Sequence, residues 1–470
     1  MTLESLAPTV NALLTSSIFY FMAINSLYML LLLAAVYAIR KNKKLQPVLS
    51  DMQRRFAVLA PPVTVIAPAY NEEETILDSV KSFLSFNYPS TEIIVVNDGS
   101  KDSTLAKLIS EYSLEETSLI YDPTLSATKI RGTYRSRIHP NLVVVDKENG
   151  GKADALNVGI EFASSEIFCA VDSDSLIEED ALLKVVLPFI EHPKEMIAVG
   201  GTVRVANGSE VRFGRVTKPG LSMNPLCLMQ VVEYTRAFLC GRVGWNHLNC
   251  TLVISGAFGL FRRDTVIEAG GYKEGSLGED MELIVRLHKA ARRRGSPYRI
   301  EFLPDPVCWT QAPSDFKTLY RQRHRWQRGL AGTLLMNYDM LFNPKYGALG
   351  ILALPYFVFV ELLGPVIELA ALVLLIVAGL CGILETETFI LSVLAGVLYG
   401  VILSISSVLI EAVHYPKYPK TRQFLALLAV TLGESFGYRQ LTAVWRLMGL
   451  FSYARGDRAW GKMKRASFNG

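Results

Sequence analysis

No two of the six cysteines form a C-x-x-C pair. This excludes the usual spacing of a zinc site. Five of the six fall in the stretch read below as cytoplasmic, so they are expected to be reduced thiols rather than a disulfide framework. The chain has no internal repeat and no low-complexity tract. Charge of either sign is missing altogether from residues 5 to 39, and the formal net charge of the whole chain is only +4. Such a balance gives little support to a nucleic-acid partner.

What the sequence has instead is long apolar runs. "LLTSSIFYFMAINSLYMLLLLAAVYAI" exceeds the roughly 20 residues needed to cross a bilayer. The opening "MTLES" has no basic cluster, which argues for a retained anchor over a cleaved signal peptide. Two further runs, 351 to 384 and 389 to 410, lie near the other end. Between them, residues 50 to 340 read as an aqueous domain. Basic flanks follow the first span ("RKNKK", 40 to 44) and the last ("KYPKTR", 417 to 422). They place that domain and the basic carboxyl-terminal tail in the cytoplasm. Residues 424 to 451 contain Glu434, Arg439 and Arg446, a poor fit to one lipid-facing crossing, and predict a re-entrant or interfacial helical pair. Glu361 and Glu368 stand seven apart in an apolar run. Carboxylates there face protein or water, and they predict a polar path. The expected organisation is an anchor (1–45), a catalytic α/β domain (46–312), interfacial helices (313–345), transmembrane helices (346–412), and a cytoplasmic loop, helical pair and tail (413–470).

Within the aqueous domain strands and helices alternate. "VTVIAPAY", "EIIVVNDGS", "NLVVVDKENGG" and "EIFCAVDSDS" each end an apolar run in turn-forming polar residues, with helical stretches between. The pattern predicts an α/β fold with a mostly parallel sheet. Ligands of such sheets gather at the carboxyl ends of strands. Tyr70, Asn71, Asp98, Lys147, Asp172 and Asp174 all fall at such ends.

Asp172 and Asp174 in "VDSDS" are one residue apart, which puts both on one side of an extended chain. A pair of carboxylates can hold a hard divalent cation such as Mg²⁺ or Mn²⁺, which suits a diphosphate; it can also be a solvated turn. Glu279 and Asp280 in "SLGED" open a helical stretch. They fit an acidic first turn, or a carboxylate that takes a proton from a hydroxyl nucleophile. In "YRQRHRWQRG" (320 to 329), Gln322, Arg325 and Trp326 share one helical face. A guanidinium suits a diphosphate and an indole suits a sugar ring. Arg and Trp are also common in an interfacial helix before a span, the reading given to Arg321 and Arg328.

"YNEEETI", "VVNDGSKDST", "GGKADALNVGI", "VDSDS", "SGAFGLFRR", "GED" and Q-x-x-R-W occur in that order. The set resembles the membrane-embedded members of glycosyltransferase family 2, the processive group containing cellulose, chitin, hyaluronan and poly-N-acetylglucosamine synthases. The resemblance covers roughly residues 60 to 330, and on it the nucleic-acid reading is set aside. It implies a GT-A nucleotide-sugar-binding domain that transfers sugar from a UDP-sugar with inversion, at a membrane, with Mg²⁺ or Mn²⁺. It implies that Asn71, Glu72 and Asp98 contact the uridine, with Lys152 close by. Asp172 and Asp174 would hold metal and diphosphate, Asp174 more directly. Asp280, with Glu279 beside it, would be the catalytic base. Gln322 and Arg325 would steady the leaving diphosphate. Ser255, Gly256, Ala257, Phe258 and Trp326 would face the acceptor.

The chain departs from the family in having few spans and no evident domain for a cyclic-dinucleotide regulator. Export would then need a homo-oligomer or a partner. Three readings follow: a polysaccharide synthase using UDP-glucose or UDP-N-acetylglucosamine foremost, a single-addition transferase acting on a lipid-linked acceptor, and a catalytically silent membrane component that binds nucleotide sugar or glycan.

Overall fold

The computed structural model describes residues 3–56, 60–212, 214–414 and 421–457. They divide into two compact units. One takes the described residues in Met1–Ala38, Met223–His247 and Pro313–Gly461, and the other takes those in Ile39–Ser222 and Leu248–Ala312. The segment Met223–His247, which the sequence reading left in the aqueous domain, groups with the apolar helices.

The second unit is built on strands β1 (Val63–Ala69), β2 (Thr91–Asp98), β3 (Leu114–Glu116), β4 (Ile130–Ser136), β5 (Leu142–Lys147), β6 (Ile167–Val171), β7 (Ser175–Ile177), β8 (Met196–Val205), β9 (Glu210–Arg212), β10 (Arg215–Lys218), β11 (Phe258–Arg262) and β12 (Arg299–Thr310). Ten of them form one sheet in the order β3-β4-β5-β2-β1-β6-β11-β8-β12-β7, and β9 pairs with β10 apart from it. Following the pairings across the sheet, β4, β11 and β7 run against the other seven. The α/β class and the predominance of one strand direction are as the alternation predicts. The antiparallel insertions were not foreseen.

β1, β2, β5 and β6 are almost wholly buried, because strands covered by helices on both faces lack a solvent side. The helices Ile76–Leu84, Thr104–Tyr112 and Lys152–Phe162 follow β1, β2 and β5. Ile66, Ile94, Val96, Val145, Val158 and Leu287 are core residues of the layer between helices and sheet. The parallel register sets Asp98 beside Lys147 at the strand ends, and the β6–β11 pairing sets Phe258 beside Val171.

His288 is fully buried in this unit. Its ring nitrogens meet the Tyr298 hydroxyl at 2.8 Å and the Thr251 carbonyl at 3.0 Å. Burial lowers its pKa to about 4. Between that value and the ~6.5 of an unfolded histidine, the unfolded chain binds the extra proton. The stabilisation is therefore complete above pH ~6.5 and is lost as the pH falls toward 4. Urea midpoints of the full chain should fall across that window by the equivalent of a few kcal/mol. Replacing His288→Gln should flatten this part of the profile; an unchanged slope would show that other groups cause it.

Among the described residues, two helices are long and apolar enough to cross a membrane, Ala7–Arg40 and Thr386–His414. A third span results if Leu349–Leu362 and Gly364–Leu380 are counted together. The sequence reading expected one span there; the structure bends it by 43°. Gly364 and Pro365 sit at the break, and a proline removes a backbone donor and crowds the preceding turn. Glu361 and Glu368 both face protein. Glu361 accepts from Tyr28 at 2.9 Å and lies 3.4 Å from Arg446, while Glu368 lies 3.0 Å from Arg439. Residues 421 to 454 form the helices Thr421–Gly433 and Tyr438–Ala454, joined through Gly437 at φ 91°. The first has 13 residues, about 20 Å at roughly 1.5 Å each, short of the ~30 Å apolar thickness of a bilayer. Most of the "KYPKTR" flank and the tail beyond 457 fall outside the described residues.

Candidate active site

The carboxyl edge of the sheet gathers the predicted polar residues into three linked groups. At the end of β1, Asn71 takes a left-handed conformation with φ 55°, which asparagine tolerates better than most residues. Its amide donates to the Ser100 hydroxyl at 3.0 Å, and its side-chain oxygen accepts from the Lys101 amide at 2.8 Å. Asn71 and Tyr70 are exposed. Glu72 is not: it is buried, its amide donates to Thr104, and its carboxylate accepts from Thr75 at 3.0 Å. Glu72 therefore braces the start of the following helix; the family resemblance implies that it contacts the donor.

Asp98, at the end of β2, is also buried. One of its oxygens accepts from Gly150 at 2.9 Å and Lys147 at 2.5 Å. The other accepts from Gly151 at 2.9 Å and Asn149 at 3.0 Å. Asp98 thus organises the loop that opens the helix Lys152–Phe162. Lys147 is fully buried and also meets Asp154 at 2.6 Å. Position 150 must be glycine, because a Cβ there would stand 2.3 Å from a carboxylate oxygen of Asp154. Neither Asp154 nor its pairing with Lys147 was foreseen. The available signal was an aspartate in the first turn of the helix Lys152–Phe162.

Lys152 leads from this loop to the third group. Its ammonium lies 2.6 Å from Asp172 and 3.1 Å from Glu279. Burial opposes its charge, but Asp172 and Glu279 outweigh that and hold the pKa above its usual value. Asp172 and Asp174 are half-buried on either side of buried Ser173, as one-residue spacing predicts. Asp280 accepts from the Gly256 amide at 3.1 Å and from the Met281 amide at 2.8 Å. A Cβ at Gly256 would lie 3.1 Å from the Lys152 nitrogen and 3.6 Å from an Asp280 oxygen. Lys152, Asp172, Gly256, Glu279 and Asp280 are therefore one cluster. Ser255 holds the Ala257 amide through its hydroxyl at 3.3 Å. Ala257 is buried, and Phe258, wholly buried as the first residue of β11, packs in the sheet instead of facing a ligand.

Among the described residues no three His, Cys, Asp or Glu side chains converge as a metal cage. Two half-exposed aspartates fit a cation that arrives with a diphosphate, since Mg²⁺ commonly takes one or two carboxylates plus substrate phosphates. Cys169, Cys250, Cys308 and Cys381 are free thiols.

Gln322, Arg325 and Trp326 belong to the other unit, on the helix Phe316–Met336 capped by Asp315. Gln322 is buried, Arg325 half-buried, and Trp326 is 42% exposed. Arg323, which the sequence reading passed over, is buried, pairs with Glu233 at 2.7 Å and lies 4.5 Å over the Trp326 ring. It follows Leu319 by four residues, on the face the helix buries. Arg328 is buried too, 3.2 Å from Asp457, so it does not follow the exposed interfacial reading.

The chain thus joins an α/β sheet, with an acidic, lysine-centred cluster at its carboxyl edge, to apolar helices. The family model described as "Glycosyltransferase like family 2" matches residues 61–329, more than half of the chain. The protein belongs to that family, and with it the sheet is of the GT-A kind. A second model, "Chitin synthase", matches residues 275–430. The chain is 30% identical to the poly-beta-1,6-N-acetyl-D-glucosamine synthase of Staphylococcus aureus (strain COL) over 284 residues, 60% of this chain and 58% of that protein. It is 30% identical to the synthase of the same name from Staphylococcus epidermidis over 291 residues, 62% and 60% of the two chains. The chain thus spans about three fifths of the length of these relatives. Among solved structures it is similar to the mannosyltransferase PcManGT of Pyrobaculum calidifontis in complex with GDP-Man and Mn²⁺, with 19% identity, TM-score 0.47, and coverage of 86% of this chain and 99% of that one. It is also similar to S. aureus TarS 1–349, with 17% identity, TM-score 0.38, and coverage of 84% and 92%.

Proposed function

We propose that the protein is an inverting, metal-dependent hexosyltransferase that uses a UDP-sugar, UDP-glucose or UDP-N-acetylglucosamine foremost, to extend a β-linked polysaccharide at the cytoplasmic face of a multi-pass membrane anchor. The observation that carries this reading is the single cluster of Lys152, Asp172, Gly256, Glu279 and Asp280 at the sheet's carboxyl edge. Asp280 is the base that takes the acceptor's proton. Its carboxylate is held at a fixed angle by the backbone amides of Gly256 and Met281. Glu279, occupied by Lys152, positions and does not accept the proton. Asn71 faces the uridine, while Asp98 acts through the loop it shapes. A divalent cation would be held by Asp174 and Asp172 and would neutralise charge on the departing diphosphate. Gln322 and Arg325 serve that diphosphate, and Trp326 supports the acceptor sugar.

The test is a panel of UDP-sugars with purified protein, followed by sizing of the product. UDP release with long product is expected, and it should stop in excess chelator. Full turnover in chelator overturns the metal requirement, and a product one sugar longer than its acceptor selects a single-addition transferase. Absence of UDP release from every donor would leave only a binding role. Trp326→Ala should reduce product length more than it weakens UDP binding, because the exposed indole offers stacking surface. An equal loss of both would show that the helix has merely misfolded.

A further inference from the structure

We propose that Lys152 is the resident counter-ion of the donor site, holding Asp172 and Glu279 until a divalent cation and a nucleotide diphosphate bind together and displace it. The proposal rests on the reading that Asp172 and Asp174 take the cation. Lys152 touches one of those two aspartates directly, at 2.6 Å, and through Glu279 at 3.1 Å it reaches the helix start that carries Asp280. Without its ammonium, three carboxylates would crowd a site where Asp172 is only 30% and Glu279 only 8% exposed. Like charges in such surroundings repel strongly, so a cation of some kind must stand there before the donor arrives.

A dication on Asp172 competes with Lys152 for the same carboxylate. An ammonium and a dication cannot share one carboxylate oxygen without repulsion, so one must leave. Lysine can leave: it is a point charge on a four-carbon stem. Its backbone is anchored, because Asp98 holds the Gly150 and Gly151 amides just before it. The movement is therefore confined to the side chain. Glu279 remains within reach of that stem, and a diphosphate adds a further anion that compensates for leaving Asp172. Cation and nucleotide thus assist each other, and the cation alone binds poorly. The same exchange keeps Glu279 neutralised by a nearby charge throughout.

The experiment measures Mn²⁺ binding to the full chain in detergent, by the electron paramagnetic resonance of free Mn²⁺, with and without UDP. Wild type should bind Mn²⁺ about tenfold or more tightly with UDP than without, within the usual range of coupling between sites. Lys152→Gln, and Lys152→Met as a second variant of similar length, should bind Mn²⁺ without UDP about tenfold or more tightly than wild type, with UDP adding little. Folding of each variant is checked by circular dichroism. Folded variants whose Mn²⁺ affinity without UDP is unchanged or weaker overturn the proposal. Asp174→Asn separates the two claims. If it loses Mn²⁺ while the Lys152 variants behave as wild type, only the counter-ion role fails. If it binds Mn²⁺ with UDP as wild type does, the cation reading fails and the proposal falls with it.

Discussion

Asp280→Asn is expected to lower transfer by about 10² to 10⁴, the usual weight of general acid–base catalysis, while UDP affinity stays near that of wild type. The shape of the side chain is retained and the charge that accepts a proton is removed. Asp280 receives hydrogen bonds from Gly256 and Met281 on separate oxygens. An asparagine has one oxygen, so its amide group must face one of those N–H donors. That mismatch costs about 0.5–1.5 kcal/mol, the value of one hydrogen bond. It would loosen the Gly256 segment without touching the Asp98 loop or Asp174. Were Asp280 only an acidic residue of the helix's first turn, losing its charge would cost about 0.3–1 kcal/mol of stability, and activity would survive. Turnover and UDP affinity measured on the same preparation decide the matter: wild-type turnover removes Asp280 from catalysis.

The second large effect concerns stability. Lys147→Met should cost about 3–5 kcal/mol, as when one member of a buried ion pair is deleted. Lys147 is fully buried between Asp98 and Asp154, which are themselves buried. Methionine fills much of the volume and leaves two carboxylates without a counter-charge. Set against a typical domain stability of 5–15 kcal/mol, the loss lowers the melting temperature sharply or prevents folding. Adding Asp98→Asn and Asp154→Asn to the same chain should recover part of it, since no uncompensated charge is left inside. A single variant as stable as wild type in thermal unfolding would refute the buried-triad account.

The α/β core was legible because four neighbouring strands of the sheet, β5, β2, β1 and β6, are apolar runs that end in turn residues. That pattern exists only where a sheet is covered on both faces. The strands β4, β11, β12 and β7 carry no such signal. β12 contains Pro304, Asp305 and Pro306 within one run, and its register shifts at that place. Residue types at the strand ends were legible; their partners were not. Asp98 and Glu72 read as donor contacts; both are buried, Asp98 bonded by Lys147, Gly150 and Gly151 and Glu72 by Thr75. Long-range pairing supplies the bonds of Asp98, and no local spacing encodes it. Lys152 was read as lying close to the uridine; its meeting with Asp172 and Glu279 was not foreseen. Met223–His247 groups with the apolar helices, which its sequence does not announce: Glu233, Arg236 and Arg242 dilute an apolar stretch below what a hydropathy reading accepts, although Arg236 and Glu434 pair at 2.5 Å within the same unit.

Glu361 with Arg446 and Glu368 with Arg439 form two antiparallel couples, each partner seven residues from its counterpart. This arrangement restricts how the gene can drift. A change that removes one member takes the counter-charge from its mate, so losing both members of a couple should be tolerated better than losing one. The helix Tyr438–Ala454 is thereby bound to the history of the bent segment it faces, even though neither has any residue in the catalytic cluster.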